Sequence, residues 1–240
     1  MSEPKISTSA VDRISSLPDD ILISILSSLS TKQAFVTSIL SKRWTRLFYL
    51  VPNLDFSYIK QEVLEAFVDY ILRSRKSSGN HPINSFILMD GHYSDRLCDI
   101  VVGNWATVTP DLPTSILACT TLVVLKLGWF NMGADFYLNS IRLPSLKTLH
   151  LKYIRFKQDV DLVMILDKCP ILEDLQLSNI FSNCSSTYYC KSSENLKKLN
   201  RADITTCYCD FPLKALSNLK YLRLQLLKVC LSHYWKCPRD

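Results

Sequence analysis

Nine cysteines and four histidines are the residues of this 240-residue chain best suited to ligate a metal or attack a substrate, and their spacing decides whether they do. Structural zinc draws on thiolates and imidazoles paired at short, fixed intervals. Here the nearest approach is Cys207 and Cys209, with Cys184, Cys190 and His233 loosely around them, and no CxxC pair occurs anywhere. No metal is expected. A nucleophilic thiol needs a base or cation that stabilises its thiolate, and no convergent Cys, His and acid spacing marks one out. The thiols instead read as small buried apolar residues of a reducing compartment. With five glycines in all and no phosphate-loop pattern, a nucleotide cofactor is equally unsupported. The chain is expected to be no enzyme and to carry no cofactor.

Charge and hydropathy narrow the alternatives further. The net charge of +6 is spread along the chain, whereas nucleic-acid binding needs Lys and Arg gathered on one face among aromatics. Only "KRWTR", Lys42 to Arg46, has that character. At 48% apolar and 21% charged the composition is that of an ordinary globular protein, and no stretch reaches the roughly 20 apolar residues that span a bilayer. The N-terminal "MSEPKISTSAVDR" lacks the apolar centre of a signal peptide. Cytoplasm or nucleus is the expected location, with neither nucleic acid nor membrane as partner.

A chain without chemistry must work through its surfaces, so the elements that present them come next. "LPDDILISIL" opens a helix: Pro18 suits the first position, and Asp19 and Asp20 lie where the helix dipole favours negative charge. Ile21, Leu22, Ile25, Leu26 and Leu29 form a broad apolar stripe on it. Ser30 and Gln33 have the capping-box spacing for a second helix, and Ser41 can cap a third, "SKRWTRLFYL", which Pro52 ends. Three short helices at residues 17–50 make too small a unit to be stable alone. Their surplus apolar surface must lean on the rest of the chain or on another protein. Residues 58–78 read as one longer amphipathic helix, with Val63, Leu64, Phe67, Val68, Ile71 and Leu72 on its apolar face.

The second half repeats. "LVVLKL", "LKTLHL", "LEDLQL", "LKKLNR" and "LKYLRL" share the form LxxLxL, their first leucines at 122, 146, 172, 196 and 219, spaced within the 20–29 residues of a leucine-rich repeat. Steps of three and two scatter around a helix but align on a strand. Each repeat therefore predicts one short parallel strand, its leucines inward and the residues between them outward on a concave surface. "INSFIL" is an early degenerate copy, and residues 89–112 an irregular connection. Cys119, Leu143, Cys169, Ser193 and Leu216 stand three residues before the first leucines, which gives two cysteines a packing role. In the fourth repeat Arg201 falls at an inward position, so that strand is expected to be bent or frayed. After Leu224 no polar capping repeat follows, which predicts an apolar end, as in a shortened product.

Residues 12–56 resemble the F-box of plant F-box proteins. The marks are Leu17-Pro18, Asp20 with Ile21-Leu22, Ile25-Leu26, and "LSKRW" at Leu40 to Trp44. "LPTSILACTTLVVLKL", "LPSLKTLHL" and "CPILEDLQL" similarly resemble the repeats of plant F-box/leucine-rich-repeat proteins. The resemblance implies a fold between α+β and α/β: a three-helix F-box over 12–56, a bridging helix over 57–80 and a right-handed leucine-rich solenoid over 81–230. It also implies a substrate receptor of a cullin-RING ubiquitin ligase. Leu17, Pro18, Ile21, Leu22, Ile25 and Leu26 would meet a Skp-type adaptor and, through it, a cullin. Ser38, Ser41, Lys42 and Trp44 would join them from the later helices. The outward strand positions Val124, Lys126, Thr148, His150, Lys152, Asp174, Gln176, Ser178, Lys198, Asn200, Tyr221 and Arg223 would face a protein substrate. The alternative is an adaptor-binding or decoy protein that presents no substrate.

Overall fold

The computed structural model describes residues 12–57, 59, 61–79, 81–89, 114–132, 141–156, 159–182, 196–207, 216 and 219–226. Three short helices come first: α1 (Asp19–Ser27), α2 (Thr31–Thr37) and α3 (Lys42–Leu50). Pro18 is the N-cap of α1 rather than its first turn, with two acids following it. The capping box of α2 is formed, Ser30 and Gln33 each meeting the other's backbone N–H. Ser41 is the N-cap of α3, but its side chain makes no capping hydrogen bond.

Seven parallel strands then build a single sheet in sequence order: β1 (Asn53–Asp55), β2 (Ser85–Leu88), β3 (Val124–Asn131), β4 (Thr148–Phe156), β5 (Asp174–Ser182), β6 (Arg201–Cys207) and β7 (Tyr221–Leu226). Sequence neighbours pairing in strict order, all parallel, are the solenoid that the repeats predict. The register lines up Leu54, Phe86, Leu125, Leu149, Leu175, Ala202 and Leu222 as one inward row. Helix α4 (Gln61–Ser77) connects β1 to β2, and α5 (Asp159–Asp167) connects β4 to β5. Strand alternation buries the inward side chains of β1 to β6, whereas Leu222 and Leu224 on β7 are 48% and 41% exposed, and one buried cluster runs from Leu22 to Leu216.

Three features depart from the periodicity. Val51, Leu54 and Phe56 form a first rung ahead of all the recognised repeats, so the sheet starts where α3 ends, inside the segment assigned to the F-box. Its helix α4 is therefore the crossover of a βαβ unit as well as a brace. Second, β2 pairs directly with β3, Ser85 opposite Val124, so no rung intervenes across the long connection. Residues 90–113 themselves lie outside the described set.

The third departure corrects the fourth repeat. Asn200 N–H donates to Glu173 and Lys220 N–H to Asn200, which makes Asn200 the equivalent of Val123, Lys147 and Glu173. The first leucine of that repeat is thus Leu199, and the inward positions are Ala202 and Ile204. Leu196 takes the place three residues earlier that had been given to Ser193; its carbonyl accepts from Leu199 as Cys169 does from Leu172. Arg201 points outward at the start of β6, exposed, which avoids burying a charge, and the expected irregularity falls further along the strand, where the pairing with β7 shifts between Thr205 and Cys207.

Candidate functional site

Two surfaces qualify. The first is the flank of the helical module. Leu22 and Leu26 are wholly buried and Trp44 nearly so. These three belong to the module's core with Ala34, Leu47 and Phe48, although the F-box resemblance assigns them to the adaptor contact. One residue before each leucine, Ile21 and Ile25 are 45% and 44% exposed. Pro18, Ser41 and Lys42 are exposed as well, while Leu17 and Ser38 are half-buried. The end of α2 and the turn after it carry further apolar surface, with Val36 exposed, Ile39 82% exposed and Leu40 67% exposed. Six of the eleven exposed large hydrophobics among the described residues, Ile14 included, fall between positions 14 and 40. Scattered single exposures need no explanation, whereas so many in 27 residues of sequence call for one.

That flank is held rigidly from behind. Arg43 donates to Asp19 through Nε at 2.9 Å and Nη2 at 2.6 Å and also reaches the Leu17 carbonyl at 2.6 Å, fixing the Leu-Pro turn on α3. Arg46 reaches the other Asp19 oxygen at 2.9 Å. The hydrogen bond from Arg43 holds the Asp19 carboxyl below the usual carboxylate range. The basic cluster of Lys42 to Arg46 is therefore spent largely inside the module. Behind α2, Phe35 touches Phe48 of α3, Phe67 and Tyr70 of α4 with ring centroids 5.5, 5.4 and 5.9 Å apart. Phe67 meets Phe56, which meets Phe86, so a file of rings runs from α3 into the second rung. The buried Thr31 hydroxyl accepts from the Asp55 N–H at 2.7 Å, joining α2 to β1.

The second surface is the concave face. The register sets Val124, Thr148, Asp174, Arg201 and Tyr221 in one outward row. Lys126, His150, Gln176, Asp203 and Arg223 form the next, and Lys152, Ser178 and Thr205 continue into a third. Lys198 and Asn200 precede β6 and are not on it, the consequence of the shifted repeat. Arg201, Asp203 and Thr205 take their places; the missed signal was Leu199, Ala202 and Ile204 standing as LxxAxI. His150 Nε2 lies 3.2 Å from Asp174 Oδ2. Burial pushes the imidazole below its ordinary range, and Asp174 only partly offsets this. Arg201 stacks over the Tyr221 ring at 4.9 Å.

The thiols sit behind these surfaces. Cys169 is buried, donates to the Ile165 carbonyl at 3.2 Å, and burial pushes it up to about 12, an inert packing residue. Cys119 is half-buried at the equivalent place, and Cys207 is buried in β6. Cys184, Cys190, Cys209 and His233 lie outside the described residues. Among the described residues no group of three His, Cys, Asp or Glu is placed to hold a metal, and no helix is long and apolar enough to cross a membrane.

A short helical module sealed onto the first rungs of a leucine-rich sheet defines the class, an F-box joined to leucine-rich repeats. Comparison with known proteins agrees. Residues 14–54 match the F-box domain, and residues 95–200 match the leucine-rich repeats described for FBD-associated F-box protein At5g56370. Among Arabidopsis thaliana proteins, F-box/LRR-repeat protein At3g59210 is 36% identical over 82% of this chain and 44% of its own length. F-box/LRR-repeat proteins At4g14103 and At4g14096 are each 36% identical, over 70% and 88% of this chain and 50% and 49% of theirs. The chain belongs to the plant F-box/leucine-rich-repeat proteins. It spans about half the length of the relatives it matches.

Proposed function

We propose that this protein is a substrate-receptor subunit of a cullin-RING ubiquitin ligase, docking a Skp-type adaptor through the helical module and a protein substrate on the concave face. The observation that carries the reading is the split within α1. Leu22 and Leu26 seal the core while Ile21 and Ile25, one position away, remain uncovered, as do Val36 in α2 and Ile39 and Leu40 after it. Full burial of a side chain of this size is worth about 1.5–3 kcal/mol, so covering what these five still expose offsets part of the entropic cost of association. Leu17 and Pro18 extend the contact, with Ser38, Ser41 and Lys42 at its rim. The ring file and the Thr31–Asp55 hydrogen bond support a receptor role, because a rigid joint holds a substrate at a set distance from the transfer machinery.

The test is co-elution on gel filtration of the purified chain with a purified Skp-type adaptor. Wild type should elute as a one-to-one complex, and Ile39→Asp/Leu40→Asp as separate components. Failure of the wild type to bind, or unimpaired binding by the double variant, would overturn the docking assignment.

A further inference from the structure

A cleft of about 340 Å³ lies where the α1–α2 turn meets the first two rungs. Its floor is the outward face of β1 and β2, with Asn53 opposite Ser85 and Asp55 opposite Ile87, and its wall is Ser27 to Ser30. Every polar feature with a settled direction presents an acceptor. Ser27 and Ser28 donate their hydroxyl hydrogens to the Ile23 and Ile25 carbonyls, both at 2.7 Å, so lone pairs are what they have left to offer. Asp55 uses Oδ1 for the Ser57 N–H at 2.9 Å, and its Oδ2 has no partner among the described residues. The wall is also the C-terminal end of α1, the negative pole of its dipole, and no basic residue occupies its last turn. In a chain of net charge +6, the one formal charge that the described residues bring to this cleft is negative. Leu29, Leu54 and Ile87 supply apolar surface alongside.

We infer that the cleft binds a cationic side chain, the ammonium or guanidinium group of a protein segment lying on the concave face. The head group pairs with Asp55 and the serine oxygens while the aliphatic stem lies along Leu29 and Ile87. An anion finds no donor beyond Asn53 and Ser85, and a purely apolar group would strip water from Asp55 without replacing its hydrogen bonds. The inference rests on the concave face being a receptor surface, and it gives that surface a chemical preference at its adaptor-proximal end.

The experiment is an NMR titration of the full chain with N-acetyl-arginine methylamide, using the neutral isostere N-acetyl-citrulline methylamide as control. The arginine probe should shift the amides of Ser27, Ser28, Asn53, Asp55 and Ser85, and citrulline should bind at least about tenfold more weakly, the loss expected for a hydrogen bond between charged partners. Asp55→Asn, which still accepts from Ser57, should bring the two probes level. Ser85→Lys, which supplies an internal cation, should abolish the arginine response. Equal responses of the wild type to the two probes, an arginine preference kept by Asp55→Asn, or an arginine response kept by Ser85→Lys at an unchanged melting temperature would overturn the assignment. Ile25→Asp separates the claims: losing adaptor binding but keeping the probe response leaves the cleft standing, and losing the probe response in wild type leaves adaptor docking untouched.

Discussion

Nη1 of Arg75 donates to the carbonyl oxygen of Val51 at 2.8 Å, from the last turn of α4 to the residue that caps α3. Nη2 reaches the Pro82 carbonyl at 3.2 Å, so one guanidinium ties together the end of the helical module and the starts of the first two rungs. The side chain is buried, and desolvation pulls it down to about 10, still charged at neutral pH. Sequence periodicity placed Arg75 on a helix but gave no hint of this joint.

Arg75→Met should therefore lower stability in urea unfolding by about 1–3 kcal/mol, since the buried Val51 carbonyl and the part-buried Pro82 carbonyl lose their partner while the methionine fills similar volume. Arg75→Lys should recover part of it. A loss below about 0.5 kcal/mol for the methionine variant contradicts the joint.

The corrected register of β6 makes two adjacent residues behave oppositely. Ala202→Asp places an unpaired charge in the inward row and should cost more than about 3 kcal/mol. Arg201→Ala removes an exposed ring stack and should cost under about 1 kcal/mol. The reverse order would restore Arg201 to the interior.

A stack of three left-handed residues crosses the sheet: Trp129, Tyr153 and Asn179, at φ of 68°, 54° and 54°, occupy equivalent places on β3, β4 and β5. Register resumes beyond them with Phe130, Ile154 and Ile180 in line, all buried. The rings of Trp129 and Tyr153 stack at 4.0 Å. Asn179→Val should cost about 1–2 kcal/mol by backbone strain, whereas Asn179→Gly should be neutral or stabilising, as thermal melts would show.

His150 predicts a pH dependence whose sign follows from its lowered folded value. Above its ordinary 6.5 both folded and unfolded imidazoles are neutral and its contribution is complete. As pH falls below 6.5 the unfolded chain takes the proton first, and stability declines until the folded value is passed. Asp174 attracts that proton while Lys126 and Arg201 repel it. Melting temperatures from pH 7.5 to 5 should therefore fall more steeply in wild type than in His150→Asn; parallel curves contradict the assignment.

The legible parts of this protein were those with strong local periodicity. The LxxLxL spacing placed β3, β4, β5 and β7, and Ser30 with Gln33 placed a helix start, because inward leucines and capping groups are local requirements. The first rung was hidden since Val51, Leu54 and Phe56 lack a leucine at two of three places and adjoin a helix end. Leu196 and Leu199 each begin an Lxx pattern, and only cross-strand pairing decides between them. On α1 the apolar stripe was legible, but not that Leu22 and Leu26 are buried while Ile21 and Ile25 stay exposed. A stripe as broad as Ile21, Leu22, Ile25 and Leu26 cannot say which half faces α3 until α3 is placed. The polar cleft was invisible because its lining comes from segments more than 50 residues apart in the chain, Ser27–Ser30 and Ser85–Ile87.

Adjacent residues of α1 offer the most direct test of the central claim, that the module's exposed flank is a docking surface distinct from its core. Calorimetric titration of the adaptor against Ile25→Asp and Leu26→Ala, each with its melting temperature, separates the two roles. The account predicts at least about a hundredfold weaker binding for Ile25→Asp at an unchanged melting temperature, by burial of a charge at the interface. For Leu26→Ala it predicts a lowered melting temperature, a core loss of about 2–5 kcal/mol, with near wild-type affinity in the folded fraction. Wild-type affinity in a folded Ile25→Asp variant would contradict it.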